Sequence, residues 1–385
     1  MQNFTYQNPT KIIFGKGEIA KLKEEIPLDY KILMVYGGGS IKKNGVYNQV
    51  MEALSNHTVI EMGGVPPNPE YEVLMDGVDL IHKENIDCIL AVGGGSVIDG
   101  VKFMAAAAKY EGDKWEMVKS RAAIKEALPF ATVLTLPATG SEMNAGFVVS
   151  RRETKEKLSM GSPLLFPKFS ILDPTVIQSI PDRQIVNGIV DAFNHVLEQY
   201  MTYPIGADLQ DRFAESILST LIHEAPKVLK DRNNYEAASN FMWSCTMALN
   251  GLISQGVPTD WAVHGMGHEL TALFGIDHAR TLAIIGPNHY KHNFEAKKDK
   301  LAQFAERVWE IKDGSKEENA KDAISKLVDF YHQLGVQTKL SEYTADYKGT
   351  AEIIEERFTE RGWPGIGENQ IVKPSDAKQI VEMSY

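Results

Sequence analysis

The stretch Cys88-Ile-Leu-Ala-Val92, running straight into Gly93-Gly94-Gly95-Ser96 and then into Val97 to Ala108, decides the fold. Five apolar residues without alternation read as a strand buried on both faces. The glycines end it in a tight turn, and the apolar spacing after Ser96 reads as a helix. Strand, turn and helix in immediate succession predict a parallel sheet with helices on its faces.

The same signature stands earlier in the chain. Lys31-Ile-Leu-Met-Val-Tyr36 is a buried-strand candidate stopped by Gly37-Gly38-Gly39-Ser40, and residues 46–55 after it read as a helix. Lys11-Ile-Ile-Phe14 and Thr58-Val-Ile-Glu-Met62 are shorter strand candidates, and residues 70–84 carry helical spacing. Ala131-Thr-Val-Leu-Thr135-Leu136 leads into Pro137-Ala-Thr139-Gly140-Ser141-Glu142. Phe147-Val-Val and Phe169-Ser-Ile-Leu172 are further short apolar runs, with Lys157 between them. A glycine turn at the carboxyl end of a strand lets backbone N–H groups approach a phosphate, and ligands of open parallel sheets bind at that end. Neither turn has the G-x-G-x-x-G spacing. One such turn alone reads as a plain tight turn or cap; two at strand ends of one sheet point to a ligand.

At Leu172-Asp-Pro174 the short runs stop and long helical stripes begin. Pro181-Asp182 suits a helix start, and Ile185, Ile189, Ala192 and Val196 form one apolar stripe with Asp191 and His195 on its flank. Residues 207–229, 235–254, 300–309, 318–334, 350–358 and 375–383 also read as helices, and Thr259-Asp260 could cap a helix holding His264 and His268. The expected organisation is an α/β domain over residues 1–178 and an all-helical domain over residues 179–385.

Asp191 and His195 are four residues apart, as are His264 and His268, so each pair projects from one helix face. His278 follows beyond a turn at Phe274-Gly275. One carboxylate and several imidazoles are the donors that hold zinc or ferrous iron. A single histidine of this kind reads as a satisfied core or surface residue, but four of the chain's ten stand in this pattern. Spacing alone favours His264 with His268 as a ligand pair.

Composition narrows the function classes. A net charge of -11 argues against a nucleic-acid or anionic-membrane surface. Cys88 and Cys245 both lie in apolar segments and read as buried thiols, which fits a reducing cytoplasm. No basic-then-apolar leader pattern and no bilayer-length apolar run is present.

Taken together, these motifs resemble one family along nearly the whole chain: the iron-containing, or group III, alcohol dehydrogenases. The resemblance rests on Phe14-Gly15-Lys-Gly17, Gly64-Val-Pro-Pro-Asn68-Pro69, Gly93-Gly-Gly-Ser96-Val-Ile-Asp99 with Lys102, Pro137-Ala-Thr139-Gly140-Ser141-Glu142, Asp173-Pro174, Asp191-x-x-x-His195, His264-x-x-x-His268 and His278. Tyr36-Gly-Gly-Gly-Ser40-Ile-Lys-Lys-Asn-Gly45 is similar to the branch of NADPH-dependent butanol dehydrogenases and broad-range aldehyde reductases.

The resemblance implies a Rossmann-like α/β dinucleotide-binding domain followed by an all-α metal-binding domain, the dehydroquinate synthase-like fold. It implies one divalent metal, iron or zinc, on Asp191, His195, His264 and His278, with His268 beside it as a proton relay. It implies NADP(H) contacts at Gly37, Gly38, Gly39, Ser40, Asn68, Gly94, Gly95, Ser96, Asp99, Thr135, Leu136, Thr139, Ser141 and Lys157. The implied reaction is reversible hydride transfer between NADPH and short- to medium-chain aldehydes such as butanal, in a homodimer. NAD-preferring members carry an aspartate near the end of the second strand. Here glycines take that place, no acid follows until well beyond Lys43, and Lys42 or Lys43 can meet a 2′-phosphate. The alternatives on this fold are a polyol dehydrogenase or a phosphate-eliminating synthase of cyclic acids. A synthase needs cations facing the substrate, for which Arg183 and Arg280 are the nearest candidates. A non-catalytic nucleotide-binding protein with a closed structural metal is the rival from another class.

Overall fold

The computed structural model describes residues 1–385. Eight strands lie between Lys11 and Leu172: β1 (Lys11–Phe14), β2 (Lys31–Tyr36), β3 (Thr58–Met62), β4 (Cys88–Gly94), β5 (Phe130–Leu136), β6 (Gly146–Arg151), β7 (Glu156–Gly161) and β8 (Phe169–Leu172). Six form one sheet in the order β1-β8-β5-β4-β2-β3, with every neighbouring pair parallel. The continuous apolar runs Ile32–Val35 and Ile89–Val92 are fully buried in its centre. Their lack of alternation follows from that, since both faces of a central parallel strand are covered.

Strand order fixes where a ligand can bind. After β2 the chain steps outward to β3, then crosses back so that β4 lies on the other side of β2. The order therefore reverses between β2 and β4, and the carboxyl ends of strands flanking such a point leave a crevice. Those ends are Tyr36 and Gly94, the sites of the two glycine turns.

The turns are built differently. β4 passes directly into the helix Gly95–Ala107. A Cβ at Gly94 would sit 2.8 Å from Leu136 Cβ, and one at Gly95 would collide with Thr139. These glycines are required by close packing against the end of β5 and the loop after it. At Gly38 and Gly39 a Cβ would meet nothing within 4 Å. Gly39 has φ 88°, a left-handed value that favours glycine, whereas Gly38 carries no such requirement. The space in front of Gly38 is open without being demanded by the backbone.

β6 and β7 form a separate antiparallel hairpin. The sequence reading finds only its first strand, because Glu156–Gly161 mixes charged, polar and small residues.

Compact packing divides the chain into two units: residues 7–185 with 227–250, and residues 1–6 with 186–226 and 251–385. This differs from a single boundary after residue 178. The helix Tyr235–Ala248 joins the α/β unit, where Thr246 Oγ1 donates to the buried Glu142 Oε1 at 2.6 Å and Trp243 meets Phe14 edge-on at 5.9 Å. Periodicity identifies that helix but carries no information about which body it joins. The chain leaves the second unit after Pro226, inside the helix Asp208–Lys230, where proline removes a ladder donor. It returns at Gly251, whose φ is 87°.

The second unit is helical. The helices Ala262–Phe274, His278–His292, Thr350–Glu360 and Pro374–Met383 share one core built from Val263, Met266, Leu270, Ile284, Ile285, Ile354, Phe358 and Ile380. The helix His278–His292 is the one long element that the sequence reading leaves unassigned. Gly286 and Pro287 interrupt its interior, and it is buried on nearly all sides, so it has no amphipathic stripe. Within this unit a fully buried Lys297 Nζ donates to Asp260 Oδ2 at 2.5 Å, Glu368 Oε1 at 2.6 Å and the Met201 carbonyl at 2.7 Å. Burial opposes ionisation of Asp260, yet the facing His289 and Lys297 hold its carboxyl well below the usual carboxylate range.

Candidate metal centre and glycine turns

Within the helical unit, three buried side chains converge. Asp191 and His195 project from the helix Asp182–Tyr200, and His264 from the helix Ala262–Phe274. One potential ligand atom from each lies within 4.8 Å of the others. His195 Nε2 is 3.8 Å from Asp191 Oδ1, and the His195 and His264 rings stack at 4.7 Å. His278 opens the helix His278–His292, and its Nε2 is 3.9 Å from the same Asp191 oxygen. A tetrahedral ion with bonds of about 2.1 Å spaces its ligands about 3.4 Å apart. The observed separations are slightly wider than that and too long for hydrogen bonds.

The fit of this donor set to a cation rests on Asp191 Oδ1, which is buried and has no hydrogen-bond partner. An orphaned buried carboxylate oxygen is costly unless something positive completes it. Three imidazoles and one carboxylate suit zinc or ferrous iron equally.

His268 stands differently. Its ring lies 4.8 Å from that of His278 and 6.2 Å from that of His264, and it is half-buried. The i,i+4 spacing thus puts His264 and His268 on one helix face. His278, from the next helix, is the histidine whose ring nitrogen approaches Asp191.

A carboxylate that the sequence reading overlooks organises the centre. Glu198, three residues after His195 on the same helix, contacts His264 Nδ1 and accepts the backbone N–H groups of Val263 and His264 at 2.6 and 3.1 Å. In its ionised state it accepts from Nδ1–H, so Nε2 carries the lone pair, the tautomer a ligand needs. Burial and then the Asp260 charge push Glu198 up to about 8, while His289 and the two backbone donors act the other way. The i,i+3 spacing from His195 was the available signal. Asn187, one turn before Asp191, donates to Asp277 Oδ2 at 2.8 Å and accepts from Arg280 Nε at 3.2 Å. This ties the start of the His278 helix to the helix bearing Asp191.

The α/β unit gathers the other singled-out residues around its switch point. Asn68 has φ 55°; its N–H donates to Ser96 Oγ at 3.3 Å, and its Oδ1 accepts from Lys157 Nζ at 2.9 Å. Thr135 and Leu136 end β5, and Thr139 Oγ1 accepts from the Ser141 N–H at 3.2 Å. Ser141 Oγ donates to Asp99 Oδ1 at 2.6 Å, and the other Asp99 oxygen accepts the Val148 N–H at 2.9 Å. Asp99 and Ser141 therefore shape the loop from within. Lys102, quoted above only as part of a motif, is fully buried and donates to Ser141 Oγ, Asn144 Oδ1 and the Gly146 carbonyl at 2.9, 2.9 and 2.8 Å. Burial pushes its ammonium down to about 8.

Near the first glycine turn, chain order misleads. No acid follows Lys43 closely in sequence, but Glu61 of β3 lies 3.2 Å from Lys42 Nζ. Cys88 and Cys245 are buried and not joined in a disulfide, as expected, and burial pushes Cys88 up to about 12. No helix is long and apolar enough to cross a membrane.

Comparison with known proteins agrees with this architecture. Residues 9–174 match the profile described as "Iron-containing alcohol dehydrogenase", and residues 185–372 match "Fe-containing alcohol dehydrogenase family, C-terminal". The chain is 49% identical to the NADPH-dependent aldehyde reductase YqhD of Escherichia coli over 99% of both chains. It is 48% identical to the probable NADH-dependent butanol dehydrogenase 1 of Bacillus subtilis over 89% of this chain and 90% of that one. The crystal structure of NADH-dependent butanol dehydrogenase A from Thermotoga maritima superposes with a TM-score of 0.94 at 35% identity, covering 100% of this chain and 99% of the other. With both of its halves matched and close relatives along its whole length, the chain belongs to the iron-containing alcohol dehydrogenase family.

Proposed function

We infer that this chain is an NADP(H)-linked alcohol dehydrogenase and aldehyde reductase, moving hydride reversibly between NADPH and short- to medium-chain aldehydes such as butanal. The observation that carries the reading is the buried Asp191, His195 and His264 donor set, with His278 beside it and an Asp191 oxygen that nothing in the protein satisfies. The named activities of the relatives, aldehyde reductase and butanol dehydrogenase, support the substrate class.

In this reading one iron or zinc ion is held by Asp191, His195, His264 and His278. When bound, the metal supplies Lewis acidity toward the carbonyl oxygen, and the reduced nicotinamide supplies the hydride. The remaining work belongs to the chain. Glu198 fixes the His264 ring, and Asn187 with Asp277 fixes the start of the His278 helix. His268, half-buried against His278, passes a proton between the substrate oxygen and solvent. Arg280, the nearest candidate cation for a phosphorylated acid, is engaged by Asn187 and Asp277, which disfavours the synthase alternative.

The dinucleotide is assigned to the two glycine turns, with the open face of Gly38 and Gly39 taking the adenosine ribose. NADPH is the expected partner, because no carboxylate occupies the turn itself and Lys42 follows it. The relatives divide between NADPH and NADH, so the turn rather than the family must decide. A homodimer fits the exposed edge strand β1, where the half-exposed Phe14 and Trp243 leave apolar surface beside unpaired backbone groups. Two cysteines without a disulfide fit the cytoplasm. Mixing the purified, metal-reconstituted protein with butanal and NADPH tests the central reading. Absorbance at the reduced-nicotinamide band should fall faster than with NADH. No turnover across a series of aldehydes with either cofactor would falsify it.

A further inference from the structure

A carboxylate that chain order hides stands beside the first glycine turn. Glu61 of β3 pairs in register with Met34 of β2, and Tyr36 ends β2 two residues later. Glu61 Oε2 accepts from Tyr36 Oη at 3.1 Å and from Lys42 Nζ at 3.2 Å, and Oε1 accepts from Tyr47 Oη at 2.6 Å. Lys42 Nζ also lies 5.0 Å from the Tyr36 ring centroid and 4.7 Å from that of Tyr47. One acid, two phenols and one ammonium thus form a clasp. The turn that precedes Lys42 is itself pinned to the segment after β3, since the Gly64 N–H donates to the Gly37 carbonyl at 2.9 Å.

The clasp is weak enough to open. The side chains of Lys42 and Glu61 are 46% and 31% exposed, and an ion pair so exposed contributes little. A phosphate dianion in the open space before Gly38 and Gly39 is a stronger partner for the ammonium than one carboxylate is. The same dianion is repelled by Glu61, whereas a plain ribose hydroxyl is indifferent to it.

We propose that Glu61 sets how strongly this chain discriminates NADPH from NADH, by competing with the 2′-phosphate for Lys42 and repelling it. The inference rests on the reading that NADP(H) binds at this turn. The charge balance around the 2′-position is then decided across two strands, not within the glycine turn alone. Neutralising Glu61 frees Lys42 and removes the repulsion together, and both changes act on the phosphate only. Lys42 contributes more to NADPH binding once Glu61 is neutral, so the two residues are coupled.

The test is binding to the full-length protein, followed by fluorescence of NADPH and NADH and by calorimetry with adenosine 2′,5′-bisphosphate and AMP. Glu61→Gln keeps the side-chain length and can still accept from the tyrosines. It should tighten NADPH and the bisphosphate about three- to tenfold and leave NADH and AMP within about twofold. Lys42→Met, at an exposed position, should weaken NADPH and the bisphosphate but not NADH or AMP, and by a larger factor in the Glu61→Gln background. Unchanged or weakened NADPH binding in Glu61→Gln, or a parallel shift of all four probes, overturns the role of Glu61. If the unaltered protein reduces butanal with NADPH while the Glu61→Gln ratio stays fixed, only this inference fails. If it binds neither dinucleotide, the dehydrogenase reading and this inference fall together.

Discussion

His268 and His278 compete for one role, and the protein separates them by element. His268 shares a helix face with His264, but His278 Nε2 is the atom 3.9 Å from Asp191 Oδ1. Substituting His264→Ala or His278→Ala should therefore empty the metal site and abolish activity, whereas His268→Ala should keep the metal and lose rate. Metal analysis by atomic emission decides it: an empty His268→Ala beside a full His278→Ala reverses the assignment. Glu198→Gln removes the acid behind His264 while keeping its shape. Supporting residues of this kind typically contribute about 10- to 100-fold in metal affinity, and competition with a chelator should read a loss of that order. At the glycine turn, Asp placed at position 39 would bring strain with its charge, because φ there is 88°. Gly38→Asp is the cleaner change, since its Cβ meets nothing within 4 Å. The ratio of kcat/KM for NADPH over NADH should fall or reverse in Gly38→Asp, and an unchanged ratio sinks the placement of the ribose. Of these residues, Asp191, His195, His264 and the glycines were legible from type and spacing. Glu61 and Glu198 were not singled out: one depends on strand register, and the other looks like any acid on a helix flank until His264 is brought to it.

At the scale of elements, the second glycine turn is a packing device as well as the proposed phosphate cradle. Gly94 and Gly95 let β4 and its helix close against Leu136 and Thr139, and a methyl at Gly95 has no room. Overpacking of a tight core costs about 1 to 3 kcal/mol. Gly95→Ala should lower unfolding stability by that amount and weaken dinucleotide binding, because Thr139 must move. Denaturant titration and NADPH fluorescence measure the two effects, and a variant as stable as the parent contradicts the contact. The strands of the parallel sheet were legible because central burial writes continuous apolar runs such as Ile89–Val92. The helix His278–His292 was not, because full burial erases its stripe and Pro287 reads as a breaker. The partner strand β7 was hidden by its polar composition. The helix Tyr235–Ala248 was recognised as a helix but not as part of the α/β unit. Its attachment depends on Thr246 meeting Glu142, a contact between residues more than a hundred positions apart.

Across the whole molecule, the two units carry separate parts of the proposed chemistry. All the proposed metal donors and Glu198 belong to the unit made of residues 1–6, 186–226 and 251–385. All the proposed dinucleotide contacts belong to the other. A ligand stabilises what it binds, through its preference for the folded state, and local opening lets that stabilisation appear regionally. Removing the metal leaves Asp191 Oδ1 without a partner and three imidazoles around it, so the cost falls on the helices that present them. Hydrogen exchange read by mass spectrometry, with and without a chelator, should therefore accelerate in Asp182–Tyr200 from Asp191 onward, in Ala262–Phe274 and at the start of His278–His292. It should leave β4, β5 and Gly95–Ala107 as they were. Adding NADPH to the chelated protein should do the converse, slowing exchange at residues 37–40, 93–96 and 137–142 without restoring the histidine helices. If chelation loosens the sheet as much as the ligand helices, the metal supports the whole fold, and the assignment of its donors to one self-contained unit is wrong.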